Sequence, residues 1–340
     1  MARLLQEHYP WTTPPLIINA PMAGFATAPL AVAVTQASGL GFIGSANDMS
    51  SLSRELDAAS QKLERTSRRT LPLGVGFLVF TAKIHDAIEV VGKHKPAVVW
   101  LFAAKELDEY VEWTSKMRQA LPQVKIWIQT GSVTAAVTIA KTCSPDVICL
   151  QGSDAGGHGY EKGCSIISLI PEAMDALKVV GFKGAIVASG GISDGRGVAA
   201  ALTLGAAGAV LGTRFLAARE TIVPSEQHRQ PILDKTDGGQ STQRSRIFDE
   251  LRGPSIWPTE YDGRALVGDT VRDWESGVSV EEVRMRYEIA EEEGRGLERV
   301  AIWAGAGAGV GLVKRVHGAG YIVEEVRRDA RVAVERVGKL

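Results

Sequence analysis

The sequence predicts an α/β chain closed into a (β/α)8 TIM barrel with a C-terminal cap or lid, and three observations carry that prediction. Short apolar, β-branched runs alternate with longer helical patterns, as parallel βα units do. The runs are apolar nearly throughout, as strands covered on both faces must be. Eight of them occur, and eight βα units closing on themselves make a barrel, whereas an open doubly wound sheet uses about five to seven strands.

The expected strands are Leu16–Asn19, Gly41–Ala46, Leu73–Val79, Ala97–Phe102, Lys125–Gln129, Asp146–Gln151, Ala185–Ser189 and Gly208–Leu211. Between them the helical pattern runs over Pro29–Ser38, Ser51–Thr66, Ala82–Gly92, Lys105–Ala120, Val133–Thr142, Ile167–Val179 and Gly195–Leu204. After Glu220 the character changes. Thr221–Arg264 is rich in Gln, Asp, Arg, Pro and Gly with little apolar periodicity, Val280–Val300 reads as a charged amphipathic helix, and Gly320–Val337 as a final helix. The expected organisation is therefore a barrel over residues 1–220, a cap over 221–300 and a C-terminal helix returning to the barrel within 301–340.

Composition narrows the function. The chain has 340 residues, 45% of them hydrophobic and 23% charged, with 38 basic against 39 acidic side chains. That balance leaves no electrostatic footprint for nucleic acid or an anionic membrane. No run of about 18 apolar residues suggests a membrane span. Cys143, Cys149 and Cys164 are scattered, without a CxxC pair or a His at ligand spacing, so neither a disulfide framework nor a metal site is expected. Met1–Pro15 lacks an apolar h-region, and Gly338-Lys339-Leu340 only half resembles a Ser-Lys-Leu address. A cytoplasmic protein is the expectation.

In such a barrel the chemistry lies at the C-terminal ends of the strands. Ala20-Pro21-Met22-Ala23-Gly24 follows the first strand, and its small residues would let backbone approach a flat ligand. After strand six, Gln151-Gly152-Ser153-Asp154-Ala155-Gly156-Gly157-His158-Gly159 holds a histidine between glycines. Imidazole there has little local packing to explain it and suits proton transfer near neutral pH. The other histidines (8, 85, 94, 228 and 317) have no such frame. Ser189-Gly190-Gly191-Ile192-Ser193-Asp194-Gly195 and Leu211-Gly212-Thr213-Arg214 follow strands seven and eight, where these barrels hold phosphate on backbone N–H groups. Asp194 reads as the N-cap of the next helix.

Three other motifs are weaker. Gly39-Leu40-Gly41-Phe42-Ile43-Gly44 matches G-x-G-x-x-G but leads into a strand instead of following one. Gly191-Ile192-Ser193-Asp194-Gly195 matches a nucleophile elbow, which would make an acyl hydrolase with Ser193 as nucleophile and His317 as base, but no HGGG-type segment accompanies it. The glycine run Gly305–Gly311 lies far beyond the eight strands, and close backbone packing against the barrel explains it best.

These segments resemble the nitronate monooxygenase family, formerly called 2-nitropropane dioxygenases. The likeness runs through Ala20-Pro21-Met22, Asp154–Gly159, Ala188–Ile192, Gly212-Thr213-Arg214-Phe215, Gly263-Arg264-Ala265-Leu266 and Trp303-Ala304-Gly305-Ala306-Gly307. FMN-dependent enoyl-acyl-carrier-protein reductases and some NAD(P)H:quinone reductases look similar over the same segments. The resemblance implies one non-covalent FMN, with Ser189, Gly190, Gly191, Gly212 and Thr213 at its phosphate. Pro21, Met22, Ala23 and Gly24 would line the isoalloxazine, Gln129 and Gln151 would reach ring or ribityl groups, and Gly156 and Gly157 would complete the cofactor site. His158 matches the family's active-site histidine. Where the family often carries an Asn after strand three, this chain reads Val75-Gly76-Phe77.

The implied activity is oxidation of alkyl nitronates by O2 to a carbonyl compound and nitrite, with His158 as catalytic base or anion stabiliser. The rival keeps FMN but reduces a quinone or activated alkene with NAD(P)H.

Overall fold

The computed structural model describes residues 1–45, 48–251, 253–300 and 305–339. Eleven strands are described in chain order: β1 (Leu16–Asn19), β2 (Phe42–Gly44), β3 (Leu71–Leu78), β4 (Pro96–Phe102), β5 (Lys125–Thr130), β6 (Val147–Gln151), β7 (Gly157–Tyr160), β8 (Ala185–Ser189), β9 (Gly208–Leu211), β10 (Thr242–Ser245) and β11 (Tyr261–Leu266). Eight of them form one parallel sheet in the order β1-β9-β8-β6-β5-β4-β3-β2, with helices between, and this is the (β/α)8 barrel. The strands carry Val, Ile, Leu, Ala and Trp because their outer faces meet the helices while their inner faces fill the cylinder.

Closure between β1 and β2 is thin in backbone terms, a single bridge between Ile18 and Leu40. A side chain completes it. Asn19, fully buried, accepts from the Phe42 N–H at 2.9 Å and donates to the Phe42 carbonyl at 2.8 Å, as a neighbouring peptide would. The lower half of the cylinder is filled by Phe42, Trp100 and Trp127, with Tyr9 accepting a hydrogen bond from Trp127 Nε1 at 2.7 Å. Tyr9 follows a helix, Ala2–His8, that the sequence pattern did not suggest.

Element boundaries moved by a few residues. The helix expected over Ser51–Thr66 is Met49–Ser60, started by the Asp48 carboxylate on the N–H groups of Ser50 and Ser51. Asp194 caps Gly195–Thr203 in the same way. That helix packs against the final helix, Ala319–Val337, so closely that a Cβ on Gly195 would lie 2.4 Å from the Ala330 nitrogen.

Two expectations need correcting. The segment 157–160, read as loop, is a strand that leaves the barrel and pairs antiparallel with β11, which pairs in turn with β10. The single helix expected over Val280–Val300 is broken. It runs Val280–Glu292, turns at Gly294 in the left-handed region (φ +73°) and resumes over Gly296–Arg299. Around these elements a small apolar cluster forms from Ile247, Phe248, Leu251, Val271, Val283 and Tyr287 with their neighbours. Among the described residues no helix is long and apolar enough to cross a membrane. Ala46, at the end of the expected second strand, and the Trp303-Ala304 part of the family-like segment lie outside the described residues.

Candidate active site

A cavity enclosing ≈ 1170 Å3, its mouth included, opens at the C-terminal ends of the barrel strands. Every residue singled out from the sequence lines it except Gly24: Pro21, Met22 and Ala23 from the first loop, Gln129 and Gln151 at the ends of β5 and β6, Gly156, Gly157 and His158 around β7, Ser189, Gly190 and Gly191 after β8, and Gly212 and Thr213 after β9. Gly24 is exposed, in a turn with φ +78°, where an added Cβ would touch nothing within 4 Å. The chain has already turned away from the cavity there.

The far wall is a backbone surface. Gly190 and Gly191 adopt φ +109° and +71°, and a Cβ on Gly190 would lie 2.7 Å from the Gly152 carbonyl oxygen. Only glycine meets both demands. The backbone N–H groups of Gly190, Gly191 and Gly212 have no acceptor among the described residues. Thr213 accepts from the Gly307 N–H at 2.9 Å, which leaves its hydroxyl proton available. Together these donors suit an anionic group.

The cavity lining is mostly apolar and includes Pro21–Ala23 and the indole of Trp100. Trp100 Nε1 donates to Gln129 Oε1 at 3.0 Å, which turns the Gln129 NH2 away from the indole. Gln151 Nε2 donates to the His158 carbonyl at 3.0 Å, while its Oε1 is buried without a partner among the described residues. A Cβ on Gly159 would come within 2.8 Å of that oxygen, so Gly159 makes room for it. Gly76, in the Val75-Gly76-Phe77 stretch, also lines the cavity, and a Cβ there would strike the Pro21 ring at 2.5 Å.

His158 stands on β7, opposite Gly263 of β11. Its ring lies parallel to Trp257, with centroids 3.6 Å apart and an interplanar angle of 8°. Its Nε2 lies 2.6 Å from Oδ1 of Asp249, a carboxylate only 6% exposed. Neither Trp257 nor Asp249 was found from the sequence. The available signal was a lone tryptophan inside a polar, aperiodic segment. Phe102 also lines the cavity beside Trp257, and Phe80 backs Trp257 at 4.7 Å between ring centroids.

The weaker motifs resolve into packing. Gly39, Gly41 and Gly44 each sit where a Cβ would strike backbone atoms. Gly307 and Gly309 press on Asp154 and Gly191, so the late glycine run is a backbone contact against the cavity loops. Ser193 is buried at the cavity without a hydrogen bond to His317, whose Nδ1 instead faces the Arg214 guanidinium at 3.1 Å. A base beside that cation is poorly placed to activate a serine. Among the described residues no group of three His, Cys, Asp or Glu side chains could hold a metal.

A family model for nitronate monooxygenase matches residues 9–310. The chain is 40% identical to nitronate monooxygenase npaC of Metarhizium robertsii, over 98% of this chain and 96% of that one. It is 36% identical to a nitronate monooxygenase of Neurospora crassa, over 98% and 93% respectively. In three dimensions it is similar to FabK of Thermotoga maritima, with a TM-score of 0.77 and 22% identity over 99% of this chain and 98% of that one, a likeness of fold. The matched segment contains the barrel, the glycine cradle and His158 with both of its partners, and the chain belongs to the nitronate monooxygenase family of oxidoreductases.

Proposed function

We propose that the enzyme holds one FMN non-covalently in this cavity and oxidises alkyl nitronates with O2 to a carbonyl compound and nitrite. The observation that carries the reading is the pairing of two unlike walls in one cavity. One is the cradle of amides at Gly190, Gly191 and Gly212, unpaired among the described residues, and the other is the His158 imidazole.

The residues present fit FMN. The cradle that a Cβ would fill suits its phosphate, with Ser189 and Thr213 adding hydroxyls. The small residues Pro21–Ala23 leave a slot for its ring system, and the orphaned Gln151 Oε1 and the Gln129 amide offer an acceptor and a donor to polar ring or ribityl atoms. Gly156 and Gly157 allow close approach of the backbone. What FMN supplies there is redox chemistry, with electrons drawn from the nitronate and passed to O2.

His158 takes the α-proton from a neutral nitroalkane or, as imidazolium, steadies the bound nitronate. The aromatic wall of Phe102 and Trp257, backed by Phe80, keeps water from the substrate's carbon. Residues 221–300 act as the cap, since Asp249 and Trp257 bring that segment onto His158. The cytoplasm is the proposed location, on the three unpaired cysteines.

The test combines a spectrum with an assay. The purified protein should show the absorption of an oxidised flavin, and nitroalkanes should yield nitrite. The His158→Asn variant should keep the flavin and lose turnover of neutral nitroalkanes. Fast anaerobic bleaching by NADH, with none by a nitronate, would instead make it an NAD(P)H-dependent reductase.

A further inference from the structure

We propose that Asp249 is a positioning residue which holds the Nε2–H of His158, so that Nδ1 is the atom that removes the substrate proton. The proposal rests on the reading of His158 as the base and adds which atom does the work and what fixes it.

An ionised carboxylate only accepts, so the 2.6 Å contact between Asp249 Oδ1 and His158 Nε2 places a proton on Nε2. A neutral imidazole has one N–H, and its lone pair is then on Nδ1. No hydrogen bond reaches Nδ1 among the described residues. Trp257 fixes the plane of the ring from one face. Gly263, opposite on β11, presents no side chain to the Nε2 edge, where even a Cβ would sit at 3.6 Å, and Asp249 occupies that edge.

Burial argues for a role beyond stability. The second oxygen of Asp249, Oδ2, is buried without a partner among the described residues. A carboxylate removed from water needs a cation or a full set of donors, and an apolar side chain would pack there at lower cost. Among the described residues, the arginines of β10 and β11 are engaged elsewhere. Arg244 pairs with Asp262, and Arg264 donates to the Ser153 carbonyl and to Thr242 while facing Asp154. Tyr160 and Tyr261, in ring contact, also lie on this sheet, Glu250 follows Asp249 on its helix, and burial holds Tyr261 far above the usual phenol range. Among the described residues Asp249 therefore has His158 as its partner, as the orienting carboxylate of a Ser-His-Asp site has its histidine.

The test has two arms. In purified protein labelled with 15N-histidine, NMR of neutral His158 should show Nε2 protonated and Nδ1 bare. In Asp249→Asn, an isosteric change, that preference should be lost. Kinetically, Asp249→Asn should lower kcat/KM for a neutral nitroalkane by about 100- to 10,000-fold, the span of general-base and wrong-tautomer effects. Turnover of the preformed nitronate, which needs no proton abstraction, should fall by a much smaller factor. A proton found on Nδ1 in the unmutated protein overturns the proposal, and this holds even if the variant fails to fold. So does an unchanged Asp249→Asn rate beside an inactive His158→Asn, a result that leaves the base reading standing. If His158→Asn is equally active, the base reading itself falls.

Discussion

The side-chain amide of Asn19 holds both the N–H and the C=O of Phe42, and so joins the first and second strands where the backbone ladder has only one bridge. Removing it leaves two buried backbone groups without partners. Each such group costs about 1–3 kcal/mol. Asn19→Ala should therefore destabilise the barrel by about 2–5 kcal/mol, read from urea unfolding, with flavin content falling in step. An unfolding midpoint within error of the parent would show that the seam closes without the amide.

Gly190 and Gly24 both have positive φ, but only Gly190 is pressed against other backbone. Gly190→Ala adds a left-handed alanine, worth about 1–3 kcal/mol of strain, and places its methyl 2.7 Å from the Gly152 oxygen. Purified Gly190→Ala should lose most of its bound flavin. Gly24→Ala, with open space around the new methyl, should keep it and lose only modest thermal stability. Equal flavin loss in the two variants would mean that backbone strain alone, and not the cradle, governs cofactor binding.

The barrel was legible because strands buried on both faces must be continuous apolar runs, and the cavity loops because glycine at a strand end has few other uses. The cap was not. β10 reads Thr-Gln-Arg-Ser, with no apolar residue, and in β11 Gly263 stands between Asp262 and Arg264 and thins the apolar face to Tyr261 and Ala265. Their polar positions are satisfied by ion pairs and carbonyls, Arg244 with Asp262 and Arg264 with Ser153, while Tyr261, Ala265 and Leu266 of β11 join three different apolar clusters. Asp249 meets His158 across 91 residues, a distance over which no local periodicity carries information. Tyr9 was hidden for the opposite reason, because a single aromatic plugging a barrel floor leaves no pattern.

Acid should destabilise the fold partly through two histidines. Burial lowers the pKa of His94, against an opposing pull from Asp57, and burial with Lys125 lowers that of His8. The folded state thus favours both neutral rings, while the unfolded chain takes up protons as the pH falls through about 6.5. Below that value the unfolded state binds more protons, so stability falls with pH until the folded rings also protonate. Urea midpoints at pH 7 and pH 5 should differ less in a His8→Gln, His94→Gln double variant than in the parent. An unchanged difference would assign the whole acid effect to carboxylates.

Trp257 restrains His158 by a face contact alone, with ring centroids 3.6 Å apart, and the two side chains share no hydrogen bond. Replacing it with alanine leaves Asp249 on Nε2 but frees the ring to swing about that bond. The tautomer should survive while the aim of Nδ1 is lost. A displacement of about 1 Å at a reacting group can cost about 100-fold. Trp257→Ala should accordingly lower kcat for a neutral nitroalkane by about 10- to 100-fold. Because the indole also lines the cavity, KM for the nitronate should rise as well. A variant in which only KM moves would make Trp257 a wall of the substrate site and nothing more.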